Sequence, residues 1–288
     1  HAAHRGRRAA GGDAGIYNPV RLPPAHRRWY RRNHRKLAVI DGATGFIGGF
    51  GFWNAWAANP PRGRWDVGAR VRGPVAAQFR SMFAHDWRLC GRPALPDPSH
   101  RIPLHPRGQR LRLLPSLAGR HRLLAALRRE LHAARDRAFL CTTYFIPDIL
   151  LRRALRMAAR RGVDVRLLLP TPRHEGFTFR FAGRRHYGAL LVAGVRIFEY
   201  MPSFLHAKYA AVDGRWGFVG SSNLDNWSGR FNMEADLELC SSRPVRVLEG
   251  RFLADLRSAR EISLARWMRR PVWIRTLERA FGWVDPLL

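Results

Sequence analysis

The stretch His34-Arg-Lys-Leu-Ala-Val-Ile-Asp-Gly-Ala-Thr-Gly-Phe-Ile-Gly48 recurs later as His206-Ala-Lys-Tyr-Ala-Ala-Val-Asp-Gly-Arg-Trp-Gly-Phe-Val-Gly220. The two align at one constant spacing without a gap. Matching positions carry the same His, Lys, Asp, Gly, Gly, Phe and Gly, too much agreement for chance, so the chain contains an internal repeat. The apolar, β-branched run after each histidine predicts a strand. Side chains alternate across a strand, so His34 and Lys36 share one face, as do His206 and Lys208. Asp41-Gly42 and Asp213-Gly214 predict hairpin turns. The small residues beyond the second strand, Gly48 and Gly49 in one copy and Gly220, Ser221 and Ser222 in the other, let backbone approach a ligand closely.

Outward from the repeat, each copy continues alike. Met233–Cys240 reads as a strand before a helix opened by Pro244, with Val247, Leu248, Phe252 and Leu256 as its apolar positions. Ala69–Gly73 reads as a strand before a helix opened by Pro74, carrying Phe79, Phe83 and Trp87. Ahead of the second copy lie a strand over 138–145, a helix over 147–161, a strand over 163–169 and a helix over 177–193. Strand–helix alternation of this kind implies largely parallel pairing covered by helices. Upstream, the segment 196–202 corresponds to 15–19, with a longer basic loop in the first copy. The expected fold is α/β: two pseudo-twofold-related repeats, each a mixed sheet flanked by helices, the first over 1–115 and the second over 116–288 with C-terminal helices. The first copy lacks the longer lead-in of the second, and the sequence begins with histidine. The expectation is a first repeat truncated at its N-terminus, with a raw sheet edge.

Two histidine–lysine pairs converging on one cleft suit phosphodiester chemistry. One histidine attacks phosphorus, the other protonates the departing oxygen, and cations hold the nonbridging oxygens. Lys36 and Lys208 would supply that charge, a role otherwise given to magnesium, so neither metal nor cofactor is expected. Asn223, Ser221, Ser222 and Gly49 are expected to contact the substrate phosphate, and Asp66 and Glu234 each to orient the opposite histidine through its second ring nitrogen. By parity Asp41 and Asp213 fall off the His/Lys face and read as anchors of the hairpins.

The doubled His-x-Lys-x4-Asp pattern, followed by Gly220-Ser-Ser-Asn223, resembles the paired signature of the phospholipase D superfamily. Thr142-Thr-Tyr-Phe-Ile-Pro-Asp148, Arg160-Arg-Gly-Val-Asp-Val-Arg-Leu-Leu-Leu-Pro170, Phe204-Leu-His-Ala-Lys208 and Gly220-Ser-Ser-Asn-Leu-Asp225 resemble bacterial cardiolipin synthases in particular. That resemblance implies catalytic motifs comprising His34, Lys36, Asp41, His206, Lys208 and Asp213. It also implies a phosphatidyl-histidine intermediate, His34 as nucleophile with His206 as acid, and transfer of a phosphatidyl group between phosphatidylglycerol molecules. A phospholipase D or a nuclease is the alternative. The chain departs from the family at Gly51, where asparagine often stands. The implied partners are anionic phospholipid and a membrane surface, with nucleic acid as the rival polyanion and no obligatory protein partner. The implied location is the bacterial inner membrane, peripheral or through a missing N-terminal segment, with the cytoplasm as the alternative.

Composition sharpens this reading. Of 288 residues, 51 are basic and 21 acidic, a net charge of +30 that is drawn to polyanions. Lys36 and Lys208 are the only lysines. Arginine everywhere else marks these two positions as needing a compact point charge. Cys90, Cys141 and Cys240 read as buried free thiols in a reducing compartment, and no Cys/His spacing suggests zinc. No apolar run reaches the length of a transmembrane helix. Arg27-Arg-Trp-Tyr-Arg-Arg-Asn33 and the tail 267–288, rich in tryptophan and arginine, are candidates for lipid headgroup contact. Phe46, Phe50, Phe52, Trp53 and Trp56 read as core, and His85, His121 and His132 as surface or satisfied residues.

Overall fold

The two copies of the repeat build the same hairpin. In the first, β1 (Arg32–Asn33) leads to β2 (Leu37–Ile40), which pairs antiparallel with β3 (Thr44–Gly48) in the register Leu37 to Ile47. After the short β4 (Arg64–Trp65), β5 (Gly68–Arg72) pairs antiparallel with β3, and Pro74 opens helix α1 (Pro74–Leu89). Next come β6 (Leu111–Ser116), α2 (Arg122–Ala133), β7 (Arg137–Cys141), β8 (Phe145–Ile146), α3 (Ile149–Arg160) and β9 (Asp164–Pro170). Helices α4 (Phe177–Arg184) and α5 (Tyr187–Val192) lead to β10 (Arg196–Tyr200) and β11 (Phe204–Leu205). The second copy gives β12 (Tyr209–Val212), paired antiparallel with β13 (Trp216–Gly220) in the register Tyr209 to Val219, then β14 (Leu224–Asp225) and β15 (Asn232–Leu239), antiparallel to β13. The chain closes with α6 (Ser242–Leu256), β16 (Ala259–Glu261), α7 (Leu264–Met268) and α8 (Val272–Ala280). This computed structural model describes residues 11–19, 30–51, 54–59, 62–96, 110–116, 122–172, 177–226, 228 and 231–280.

The fold is α/β. A nine-stranded sheet runs β1-β15-β13-β12-β7-β9-β10-β16, with β6 also on β15. β7, β9 and β10 are mutually parallel, as alternation with helices requires. Strand β6, which straddles the expected division at 115, pairs along β15 in the second-repeat sheet. The first-repeat sheet is β2-β3-β5, and β2 is its edge among the described residues. One face of the large sheet packs Leu140, Val165, Ala210 and Val212 against Leu127, Leu131, Leu151 and Leu155 of α2 and α3. The other face packs Tyr209, Val219 and Leu237 against Val245, Leu248 and Phe252 of α6 and against Ile47, Val71, Val75 and Phe79 of the first repeat. The two repeats therefore share one apolar core, which fixes the cleft between them.

Several expectations need correction. The strand expected over 138–145 breaks after Cys141 and resumes as β8, because Thr142 and Thr143 are diverted to side-chain partners at the cleft. The helix expected from Pro147 begins at Ile149, since Asp148 caps it by accepting from the Leu151 N–H at 2.7 Å. The helix expected over 177–193 is two helices. Gly183 lies against the Phe145 carbonyl and Gly188 against the Trp267 indole, so the two pieces pack on different neighbours. Val247 is exposed and Val245 takes its place in the core. Phe83 is also exposed, stacked on Trp87. Of the cysteines only Cys141 is buried; Cys90 is half-buried and Cys240 exposed. His85 and His132 are exposed. Phe52, Trp53, His121, the stretch 27–29, Phe281 and Trp283 lie outside the described residues.

Both hairpins place Asp and Gly in the left-handed region, φ 52° and 65° at Asp41 and Gly42, φ 50° and 62° at Asp213 and Gly214. Asp41 is exposed. The Asp213 carboxylate accepts the backbone N–H groups of Arg135, Asp136 and Arg137, each at 3.0 Å. Burial pushes this carboxyl upward, but the three N–H groups and Arg215 hold it below the usual carboxylate range. It stands at the opposite end of β12 from Lys208, roughly 16 Å along the strand, where it anchors the start of β7 to the hairpin. Asp213→Ala is expected to lower stability by about 1–2 kcal/mol. Urea unfolding should show a lower midpoint with an unchanged slope.

Candidate active site

Each histidine follows a two-residue strand that pairs in parallel with the other repeat. β1 pairs Arg32 with Asn232 and Asn33 with Met233, and the next backbone bond runs from the His34 N–H to the Met233 carbonyl at 3.0 Å. β11 pairs Phe204 with Arg64 and Leu205 with Trp65, and the His206 N–H donates to the Trp65 carbonyl at 2.7 Å. In both cases the residue that comes next on the partner strand is a carboxylate. His34 Nδ1 lies 2.9 and 3.0 Å from the two oxygens of Glu234, and His206 Nδ1 lies 2.8 Å from Asp66 Oδ2. Each imidazole is thus oriented by an acid from the opposite repeat. Donation of Nδ1–H to that acid leaves Nε2 as the reactive nitrogen.

The lysines repeat this symmetry. Lys36 Nζ donates to the His34 carbonyl at 2.7 Å, and Lys208 Nζ donates to the His206 carbonyl and, at 2.6 Å, to Thr143 Oγ1. Lys208 Nζ also lies 3.1 Å from His206 Nδ1. With that nitrogen donating to Asp66, the approach is a contact that keeps positive charge beside the ring. The two lysines and the two carboxylates act on one another electrostatically, so the four groups form a single cluster.

The residues after each hairpin support the carboxylates. Ser221 Oγ donates to Glu234 Oε2 at 2.5 Å, and Ser222 Oγ donates to Asp236 Oδ2 at 2.5 Å. Gly49 matches Ser221 in the repeat, and a Cβ there would sit 2.7 Å from Asp66 Oδ1 and 2.8 Å from the His206 carbonyl oxygen. Its missing side chain is what lets Asp66 reach His206. Asp66 is supported instead by Trp56 Nε1, at 3.1 Å, and by the Val67 N–H, at 2.8 Å. Trp56 also meets the His206 ring edge-on at a centroid distance of 5.2 Å, with the Arg64 guanidinium 4.6 Å over the indole. The Asn223 amide oxygen is buried without a hydrogen-bond partner. Thr143, Trp56 and Arg64 escaped the sequence reading. Trp56 lay in an aromatic run with core-like composition, and Thr143 comes from a strand break that its apolar surroundings concealed.

The electrostatics are asymmetric. The His34 side chain is 31% exposed and that of His206 9%. Burial, reinforced by Lys208 and opposed by Asp66, brings the His206 pKa down to about 4. Burial brings Lys208 to about 7 and Lys36 to about 8, against the pull of Asp66 and Glu234. Burial pushes Glu234 upward, but His34, Ser221 and Lys36 outweigh it and its carboxyl stays below the usual range. Asp225 and Asp236, fully buried behind the loop, rise to about 7 through desolvation. An anionic group entering the cleft would find ammonium charges that burial has stripped of water.

Residues 127–256 match the family model described as cardiolipin synthase, PLD-like domain. The paired His–Lys sets on this doubled α/β scaffold fit that description, and the matched residues carry a PLD-like domain. The chain is similar to a cardiolipin synthase of Listeria monocytogenes serotype 4a (strain HCC23), 32% identical over 296 residues covering 96% of this chain and 59% of that protein. It is 31% identical over 288 residues to the major cardiolipin synthase ClsA of Bacillus subtilis (strain 168), covering 98% of this chain and 60% of that one. The chain therefore spans about three fifths of the length of these relatives. In fold it is similar to a phosphatidylserine synthase of Haemophilus influenzae Rd KW20, with a TM-score of 0.67 at 14% identity, over 89% of this chain and 71% of that one. Among the described residues no helix is long and apolar enough to cross a membrane.

Two outcomes test the geometry. Gly49→Ala is expected to push Asp66 off His206 and lower turnover even well below the unfolding midpoint, which should itself fall because the added carbon also meets the His206 carbonyl. The affinity for the soluble diester glycerophosphoglycerol should fall as pH rises from about 6 to about 10, because Lys208 and Lys36 lose their protons across that range while the diester keeps its single charge. A bound anion favours the charged lysines, so the observed midpoint should lie above the values of the empty cleft. Calorimetric titration at several pH values checks this, and a flat profile would remove the lysines from phosphate binding.

Proposed function

We propose that the protein is a phosphatidyltransferase of the cardiolipin synthase type, joining two phosphatidylglycerol molecules with release of glycerol. The observation that carries this reading is the pair of carboxylate-held imidazoles with two desolvated lysines between them. His34, the more open ring, attacks phosphorus through Nε2 as Glu234 takes up the developing charge at Nδ1–H. The bond from phosphorus to the glycerol oxygen breaks, and His206 gives that oxygen its proton. Lys36 and Lys208 neutralise the nonbridging oxygens. The hydroxyl of a second phosphatidylglycerol then loses its proton to His206 and attacks phosphorus, which frees His34.

His206 is neutral in the empty cleft at physiological pH. Its acid role therefore needs the proton to arrive with the substrate. An anionic diester beside Lys208 opposes the field that keeps the ring neutral and raises its pKa. Asn223 and the backbone at Gly49 border the phosphate. The buried Asn223 oxygen suits the other hydroxyl of the glycerol headgroup, which keeps its proton and can donate it. The reading places the protein at the bacterial inner membrane, where its substrate resides.

Detergent-dispersed, labelled phosphatidylglycerol tests it. Cardiolipin and glycerol in equal amounts are the expected products, whereas phosphatidic acid would make the protein a hydrolase. His34→Ala and His206→Ala should each lower the rate about 100- to 10,000-fold. Wild type quenched in detergent at mildly alkaline pH, where the phosphorus–nitrogen bond survives, should hold phosphorus label on a histidine, and His34→Ala should hold none.

A further inference from the structure

A second basic concavity lies outside the histidine cleft. Its volume is about 700 Å3, and Ile149, Arg152, Arg153 and Arg156 of α3 face Arg185, His186 and Leu190 of the α4–α5 corner across it. Among the described residues no carboxylate lines it. Asp148, the nearest acid on α3, is engaged by the Leu151 N–H and by Arg128 at 3.3 Å. Arg152 is braced against His186, Nη1 to Nδ1 at 2.9 Å. Arg153 is exposed. Arg156 keeps its Nε buried with no hydrogen-bond partner, a donor left over inside a cationic pocket.

Apolar side chains lie on the same two elements. Ile149 lines the pocket and is 70% exposed; Leu150, next to it on α3, and Val192, at the end of α5, are exposed at 54% and 67%. Helix α8 lies beside α4 and carries the exposed Val272 and Trp273. Helix α3 starts a few residues beyond the C-terminal end of β7, where Thr143 meets Lys208, so the pocket lies toward the end of the sheet that holds the histidines. Guanidinium groups in a concavity recognise a phosphate anion. Apolar side chains around that concavity recognise the acyl boundary beneath a headgroup.

We propose that the α3–α5 arginine pocket is a docking site for the headgroup phosphate of an anionic lipid that remains in the bilayer, with Ile149, Leu150 and Val192 inserted around it. The inference rests on the reading above, that the substrate is a membrane phospholipid. The docked lipid is not turned over. It holds the histidine cleft against the membrane so that substrate headgroups enter it from the bilayer.

The test is co-sedimentation with phosphatidylcholine vesicles containing roughly a third phosphatidylglycerol. Arg153→Gln with Arg156→Gln removes two charges from the pocket without touching the Arg152–His186 bond. Arg243→Gln with Arg246→Gln removes two exposed charges from α6, on the opposite face of the sheet. The pocket pair is expected to weaken vesicle binding about 30-fold and the α6 pair by less than about threefold. Equal losses would overturn the proposal in favour of diffuse net charge. So would a pocket pair that keeps vesicle binding but loses binding to a single-stranded oligonucleotide. Matched melting curves exclude misfolding as the cause. In detergent-dispersed phosphatidylglycerol the pocket pair should turn over at the wild-type rate. If the wild type itself makes no cardiolipin there, the proposed activity fails while the vesicle comparison still stands.

Discussion

Two hydrogen bonds govern this molecule: Glu234 to His34 and Asp66 to His206. Both cross from one repeat to the other, and each extends a short parallel ladder that already crosses. Neither repeat can hold its own imidazole in a defined tautomer. The site exists only where the halves are docked, and docking depends on the apolar contact of Ile47, Val71 and Phe79 with Val219 and Leu237. Core packing and chemistry are therefore coupled. Loosening that contact would separate each acid from its base before it unfolded either sheet.

The symmetry is one of roles more than of surroundings. Strand β12 is buried along its whole length beneath flanking strands and helices, whereas β2 is half-exposed. Lys208 and His206 sit accordingly deeper than Lys36 and His34, and burial lowers Lys208 further than Lys36. The proposed two-step transfer uses this difference. In it the ring that forms the covalent bond is the accessible one, and the ring that exchanges a proton is the desolvated one, which responds to the substrate's charge.

Much of this was legible in the sequence because it is local. The His–Lys alternation, the Asp-Gly turns and the proline-led helices depend on residues within a few positions of one another. The crossing partners Asp66 and Glu234 could be named because the repeat implies a twofold. What stayed hidden is tertiary. That β1 and β6 share the outer edge of β15, or that Trp56 serves Asp66 and not the core, has no periodicity to announce it. The break at Thr142–Thr143 was hidden by the same logic, since a strand that turns aside to bind Lys208 keeps a strand's composition. The helix break at Arg185–His186 follows from glycines whose neighbours are distant in sequence.

The use of two lysines against a background of arginine has a physical cause in this geometry. Lys208 is fully buried, and its pKa falls to about 7. An ammonium with a pKa near 7 exchanges its proton readily in the empty cleft, and an arriving phosphate favours its charged form. A guanidinium cannot shed its proton at physiological pH and would bear the full desolvation of that position at all times. It also needs room for a planar fork, and Lys208 Nζ is already enclosed by Thr143 and the His206 carbonyl. On the outer surface the preference reverses. A permanently charged, weakly hydrated fork suits contact with anions at every pH, and nothing there requires the charge to be withdrawn.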